Sequence, residues 1–403
     1  MNRLLLLLLM LLVVVSPLPL GSNREWSWSL CAAAAALITL LWAVSRGWRK
    51  KEMVRFVHPA IVVLFFAACG WVLLQLVDWV PADWKHPLWG QTSQVLGIDL
   101  QGMISLSAED SWTALMRLLS YALIFFLAFQ LGTERSRARA MLGWLVAAGM
   151  IYGVYGLAVY WGDFQPKLLF PAERPGGALS STFVNRNHFA TWQGLTLLCA
   201  IALFYMNLSR AGSKPYEVPG DRETRVEEVV LKIWKPLTVI LLMTTALVLT
   251  HSRGGFVSGL LAIIVLLLLL DSHSAVKNST ARLAVLSALV VCGLAFYLSS
   301  EILLDRIDRT QMTNEERLIV YENVQHGIGE NPVLGFGYGT FADSFRLYDR
   351  VDKAVHYDRA HNTWLENIFE LGIPAAAALF LAIAGLGLTC LHGVRRRHRD
   401  WAF

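Results

Sequence analysis

Apolar runs long enough to cross a lipid bilayer constrain this chain more than any other feature. A hydrocarbon core of about 30 Å takes about 20 helical residues to span. Within it the backbone must satisfy its own N–H and C=O groups, so long apolar runs read as helices. Such runs fall at 3–20, 27–45, 57–77, 113–132, 140–161, 188–207, 236–251, 254–270, 283–299 and 363–391. The seventh and eighth are short and are read as two helices joined by a tight turn at His251-Ser-Arg-Gly-Gly255, because 236–270 is too long for one ordinary span. Only 16% of residues are charged, against about 25% in soluble domains. The expectation is an all-α, polytopic integral membrane protein: one integral-membrane domain over 1–403, with about ten transmembrane helices. A large, partly helical loop over 300–361 precedes the last span and carries part of any active site. The five cysteines (Cys31, Cys69, Cys199, Cys292 and Cys390) all lie in apolar runs and read as small buried hydrophobes, not disulfide partners or zinc ligands.

Charge sets the orientation. With both termini in the cytoplasm, inside segments hold 21 of the 35 Lys and Arg residues, and short outside loops are nearly free of them. This puts the 300–361 loop on the periplasmic side of a bacterial inner membrane. The first run follows Met1-Asn-Arg3 and resembles a signal peptide, but the residues before Gly21 lack a small-x-small cleavage pattern, so a retained signal-anchor helix is expected. Outside residues 78–112 carry Trp79, Trp84, Trp89 and Trp112. They fit an interfacial aromatic belt or, on a second reading, a surface for stacking sugar rings.

Chemistry in such a chain belongs where polar groups are held in place. Arg253 sits at the hairpin between two apolar helices; an arginine at the centre of a span costs about 2.5–3.5 kcal/mol. It is either snorkelling to the headgroups or a fixed cation facing a wet cavity, with Gly254 and Gly255 letting an anion approach the backbone. His251, two residues earlier, reads as an interfacial neighbour. Thr313-Asn-Glu-Glu316 is a capping box that predicts a helix from Asn314 to Ile328, with Arg317 sharing a face with Tyr321 and Val324. His361 lies just before the last span, where Asn362 or Thr363 can cap. The positive helix end disfavours imidazolium there, and a neutral ring can take a proton from a hydroxyl. The competing reading is a histidine hydrogen-bonded to Asp358 or Glu366.

Two other chemistries are weaker. The run Gly327–Gly339 is glycine-rich, but no strand precedes it and no Gly-Lys-Ser/Thr ends it, so it is not a nucleotide fingerprint. It is expected to let the loop helix fold back against the membrane domain. His356, Asp358 and His361 could ligate a metal, but the interleaved arginines oppose a cation. No metal, cofactor or nucleic-acid partner is expected.

Taken in order, several motifs resemble the O-antigen ligase/O-antigen polymerase superfamily of bacterial envelope enzymes. They are Pro17-Leu-Pro-Leu-Gly-Ser-Asn-Arg24, Thr182-Phe-Val-Asn-Arg-Asn-His-Phe189, Ser252-Arg-Gly-Gly255, Glu316-Arg317, Asn331-Pro-Val-Leu-Gly-Phe-Gly337 and Ala360-His-Asn-Thr-Trp-Leu-Glu366. The resemblance implies a metal-independent glycosyltransferase that moves a glycan from undecaprenyl diphosphate to an acceptor at the periplasmic face. It implies that Arg253 and Arg317 hold the diphosphate, with Arg186 as a further contact, and that His361 activates the acceptor hydroxyl. The partners implied are a lipid-linked glycan donor, a lipid or glycan acceptor and the bilayer. Ligase and polymerase share these motifs. Two alternatives stand beside them. A transporter or flippase of an anionic lipid-linked saccharide predicts helix breaks at the bilayer midplane. A polymerase of the shape-and-division type predicts a loop aspartate at work, for which Asp343, Asp349 and Asp352 are available.

Overall fold

The computed structural model describes residues 1–47, 54–162, 177–212, 222–273, 314–348 and 357–396. Among them the regular structure is helical, with no strand. The main helices are α1 (Asn2–Val15), α2 (Glu25–Gly47), α3 (Pro59–Gln75), α4 (Pro87–Leu96), α5 (Ala108–Leu131) and α6 (Arg135–Trp161). They continue with α7 (Arg186–Gly212), α8 (Arg222–Val248), α9 (Arg253–His273), α10 (Asn314–Glu330), α11 (Phe341–Ser344) and α12 (Thr363–Arg396). Five stretches are long and apolar enough to cross a membrane: α2, α5, α6, Arg186–Asn207 of α7 and Thr363–Val394 of α12. Four shorter apolar helices, α1, α3, Trp234–Val248 of α8 and Arg253–Leu269 of α9, fall on other expected spans. The expected span at 283–299 lies outside the described residues, as do 300–313 and 349–356 of the long loop. On α2 the outward side chains include Leu30, Leu37, Leu40, Leu41 and Val44, all exposed. Such a surface suits lipid, not water. Cys69 is buried as expected, whereas Cys390 is exposed near exposed Leu388 and so is not a core residue.

The chain divides into two compact units, each discontinuous in sequence. The first comprises Met1–Glu52, Leu123–Arg309 and Val394–Phe403. Its described part is organised around α7, which packs on α6, α8 and α9 through a core including Leu197, Ile201, Phe204, Met243 and Ile263. Without a hydrophobic drive in lipid, helices associate through close backbone approach at small residues. On α7 these are Ala190 and Gly194; on α9 they are Gly255 and Gly259. A Cβ placed on Gly255 would lie 2.6 Å from the Ala190 Cβ, and one on Gly194 would lie 4.0 Å from the Gly259 Cα. The turn after α1 is tied to the start of α7: the Thr182 hydroxyl donates to the Pro17 carbonyl at 2.7 Å. Tyr152 on α6 donates to the Val14 carbonyl at 2.7 Å, so two motifs far apart in sequence form one corner.

The second unit comprises Met53–Ala122 and Thr310–Gly393. Val320, Val324, Phe336, Phe341, Phe345, Tyr357, Ala360 and Phe369 form one aromatic core, with Phe336 stacked on Phe369 at 4.4 Å. The expected continuous span at 363–391 is interrupted: Gly372 adopts φ 75 and ψ 163. The cause is Gly372-Ile-Pro374. Proline has no N–H, and its ring clashes with the carbonyl four residues back, here that of Glu370. The freed groups find other partners. The Glu370 carbonyl accepts from Gln75 Nε2 at 2.9 Å and Gly337 N at 3.0 Å, the Phe369 carbonyl accepts from Phe336 N at 3.2 Å, and Ile373 N donates to the Pro332 carbonyl at 2.8 Å. The glycine-rich run therefore lies along the broken helix.

The backbone of Gly372 occupies a region open essentially to glycine alone, where strain runs to about 1–3 kcal/mol, and an added Cβ would lie 2.1 Å from the Val333 carbonyl oxygen. Gly372→Ala is expected to cost more than about 3 kcal/mol, whereas Gly387→Ala, in open space, should be neutral or gain up to about 1 kcal/mol from helix propensity. Thermal unfolding of both variants in detergent checks this; equal melting points would contradict it.

Candidate active site

In the first unit, two arginines stand at helix starts. Asn185 precedes α7, and its Oδ1 accepts from Asn187 N at 2.8 Å. Ser252 precedes α9, and its Oγ accepts from Gly255 N at 3.2 Å. Both are N-cap arrangements, so Arg186 and Arg253 are each the first residue of their helix. The close approach of α7 and α9 brings the two cations into electrostatic range of each other, and Arg253 is exposed. Like charges near one another destabilise the empty state and favour an anion between them. The unpaired amides of two helix starts add to the same positive field. Gly254 faces open space, but Gly255 is closed off by Ala190, so only the first of the two glycines leaves room for an approaching group. His251 adopts φ 50 in the turn before the cap. Desolvation first, and then Arg186, holds its imidazole below the ordinary pKa, and among the described residues its buried Nε2 has no hydrogen-bond partner.

In the second unit, Arg317 and His361 come together. The capping-box helix is α10, running two residues past the expected end to Glu330. Val320 and Val324 are fully buried and Tyr321 half-buried, so α10 packs into the aromatic core by the face that Arg317 shares. Arg317 lies at the first turn of that face, exposed. Opposite, Asn362 caps α12: its Oδ1 accepts from Trp364 N at 3.1 Å and Leu365 N at 3.3 Å. His361 directly precedes the cap, is exposed, and holds φ 52.

The hydrogen-bonded reading of His361 does not match these contacts. Glu366 Oε1 accepts from Arg359 Nη1 at 2.8 Å and Oε2 from Ala360 N at 3.1 Å. Among the described residues, the His361 ring has no hydrogen-bond partner. Partial desolvation, then the Arg317 guanidinium, with Arg359 adding to it and Glu366 opposing, hold its pKa below the usual 6.5. A ring of this kind is neutral at pH 7 and able to accept a proton.

The other candidates fall elsewhere. Asp343 is exposed beside Arg346, with 3.6 Å between their charged atoms; Asp349, Asp352 and His356 lie outside the described residues. Trp79 and Trp112 are exposed, whereas Trp89 is partly buried and donates to the Ser105 carbonyl at 3.2 Å. Residues 87–96, expected as loop, form α4, capped by His86, whose Nδ1 accepts from Leu88 N at 3.3 Å.

Residues 238–380 match the family model described as O-antigen ligase. The chain carries an O-antigen ligase domain. The match begins within α8 and ends within α12, so the domain contains Arg253, Arg317 and His361, while Arg186 lies before it. No curated protein matches the chain. The matched domain supports the O-antigen ligase/polymerase superfamily and glycan transfer in general, and the apolar helices fit a membrane protein.

His361 is expected to titrate below 6.5, and Arg317→Gln to raise that value by removing a facing cation. A histidine-labelled NMR titration in detergent reads both. An unchanged His361 pKa in Arg317→Gln would contradict the pairing.

Proposed function

We propose that this protein transfers a glycan from undecaprenyl diphosphate to an acceptor hydroxyl at the periplasmic face of the bacterial inner membrane, with both termini cytoplasmic. The observation that carries the reading is His361: a ring without a hydrogen-bond partner among the described residues, held neutral beside Arg317, inside the O-antigen ligase domain. The acceptor oxygen attacks the anomeric carbon as its proton passes to the imidazole. The bond from that carbon to the diphosphate oxygen breaks, and undecaprenyl diphosphate leaves with the electron pair. Attack from the opposite face inverts the anomeric centre.

Diphosphate is a good leaving group, so the protein's main tasks are to neutralise charge, align the acceptor and accept one proton. Arg253 and Arg317 take the first task, with Arg186 as an additional contact, because a guanidinium meets phosphate oxygens through two parallel hydrogen bonds. Sequence charge supports the periplasmic side: the short outside loops are nearly free of Lys and Arg. A transporter would use a broken helix to line a cavity. The break at Gly372 is instead filled by the 332–337 backbone and Gln75, which favours transfer.

Membranes supplied with undecaprenyl-diphosphate glycan and acceptor give the test. Arg253→Ala and Arg317→Ala are expected to lower transfer about 10²–10³-fold, as loss of a charge-stabilising donor does. His361→Ala should lower it about 10²–10⁴-fold, as loss of a general base does. Wild-type transfer by all three at equal protein level would refute the assignment. Loss of transfer on changing Asp343, with His361→Ala active, would shift it to the shape-and-division type.

A further inference from the structure

The start of α12 is fixed from both sides of His361. On one side, the Asn362 side chain caps the helix. On the other, Glu366 reaches back six residues to Ala360 N and seven to the Arg359 guanidinium. Ala360 is itself fully buried in the aromatic core and Tyr357 nearly so, which leaves the preceding backbone little freedom. Between these anchors His361 holds φ 52, a left-handed conformation that costs a side-chain-bearing residue about 1–2 kcal/mol. Strain of this kind persists only where the surroundings over-determine it.

Glu366 is also well placed by what it does not do. Its side chain is only 13% exposed, and both its oxygens are occupied by Arg359 and Ala360. Among the described residues, neither oxygen is hydrogen-bonded to the neighbouring imidazole. Charged groups face that ring from three elements: Arg317 from α10, Arg359 from the segment before the cap, and Glu366 from α12. The two cations oppose protonation, and the carboxylate favours it.

We infer that Glu366 is a positioning residue for His361. It clamps the backbone on the N-terminal side of the histidine, so that the ring is presented in one orientation with its acceptor nitrogen unblocked. Through its charge, Glu366 also tunes the pH at which that nitrogen becomes available. The inference rests on His361 being the proton acceptor of the transfer reaction.

The test is the pH–rate profile of transfer for Glu366→Gln and Glu366→Asp. Glutamine keeps an acceptor oxygen for Ala360 N but removes the anion. The pKa of His361 then falls further, so the loss of activity on acidification moves to lower pH. Aspartate keeps the anion but is one methylene too short for both contacts. Its acid limb is expected to stay close to the wild type while its plateau rate falls on the order of 10²-fold, the loss that a 1 Å misplacement brings. Wild-type plateau and acid limb in both variants would overturn the inference, as would rate losses that melting temperatures account for entirely. If Glu366→Gln lowers the yield of folded protein, the His361 NMR titration of the folded fraction reads the same shift. His361→Ala distinguishes the two claims: wild-type transfer there removes the proton acceptor itself. Loss of transfer there, with an unmoved acid limb in Glu366→Gln, removes only the role of Glu366.

Discussion

A helix broken in apolar surroundings must find partners for the backbone groups it frees, and the second unit is built on that requirement. An unpaired buried polar group costs about 1–3 kcal/mol. The break at Gly372 and Pro374 leaves the carbonyls of Phe369 and Glu370 and the amide of Ile373 without helical partners. Gln75 at the end of α3, fully buried, donates to the carbonyls of Glu370 and Leu334 and accepts from Tyr338 N. The 332–337 backbone supplies the rest. The Glu370 side chain, also buried, accepts from Phe341 N at 3.0 Å through Oε1 and so fixes the start of α11. One interruption thus organises the end of α3, the glycine-rich run and the aromatic core. That core includes Ala360, next to His361 in sequence, and Val320, one turn along α10 from Arg317. Arg317 and His361 stand on a floor laid by the broken helix.

The first unit uses a different device. There the backbones of α7 and α9 approach at small residues, and two N-caps set Arg186 and Arg253 at helix starts. Close packing at small residues brings like charges into range, an arrangement that an anion stabilises. Each unit thus holds cations near helix starts: Arg186 and Arg253 in the first, and Arg317 beside His361 in the second.

Much of this was legible in the chain, for identifiable reasons. The capping box and helical spacing put Arg317 on one face with Tyr321 and Val324, and that face packs into the aromatic core while Arg317 at its first turn stays exposed. The cap of α12 was narrowed to Asn362 or Thr363, and the contacts select Asn362. The hairpin at 251–255 was readable because glycine and serine interrupt two apolar runs. Other features depend on contacts across hundreds of residues. Gln75 meeting Glu370 has no local signature, and neither does Glu366 choosing Arg359 and Ala360 over His361. Gly255 read as room for a ligand and is instead room for Ala190. The break in α12 was written in Gly372-Ile-Pro374, yet strong hydropathy on both sides made one span the simpler reading. Helix α4 was hidden because its ten residues are too few for a span and none of them is fully buried.

Chemical rescue is the direct measure of whether His361 takes the acceptor's proton. Purified His361→Ala protein would be given undecaprenyl-diphosphate glycan, acceptor and increasing free imidazole, and glycosidic bond formation would be followed. The account predicts a nearly inactive protein whose transfer rises with imidazole concentration, while Arg253→Ala shows no such rise. Transfer by His361→Ala at the wild-type rate without imidazole would contradict it.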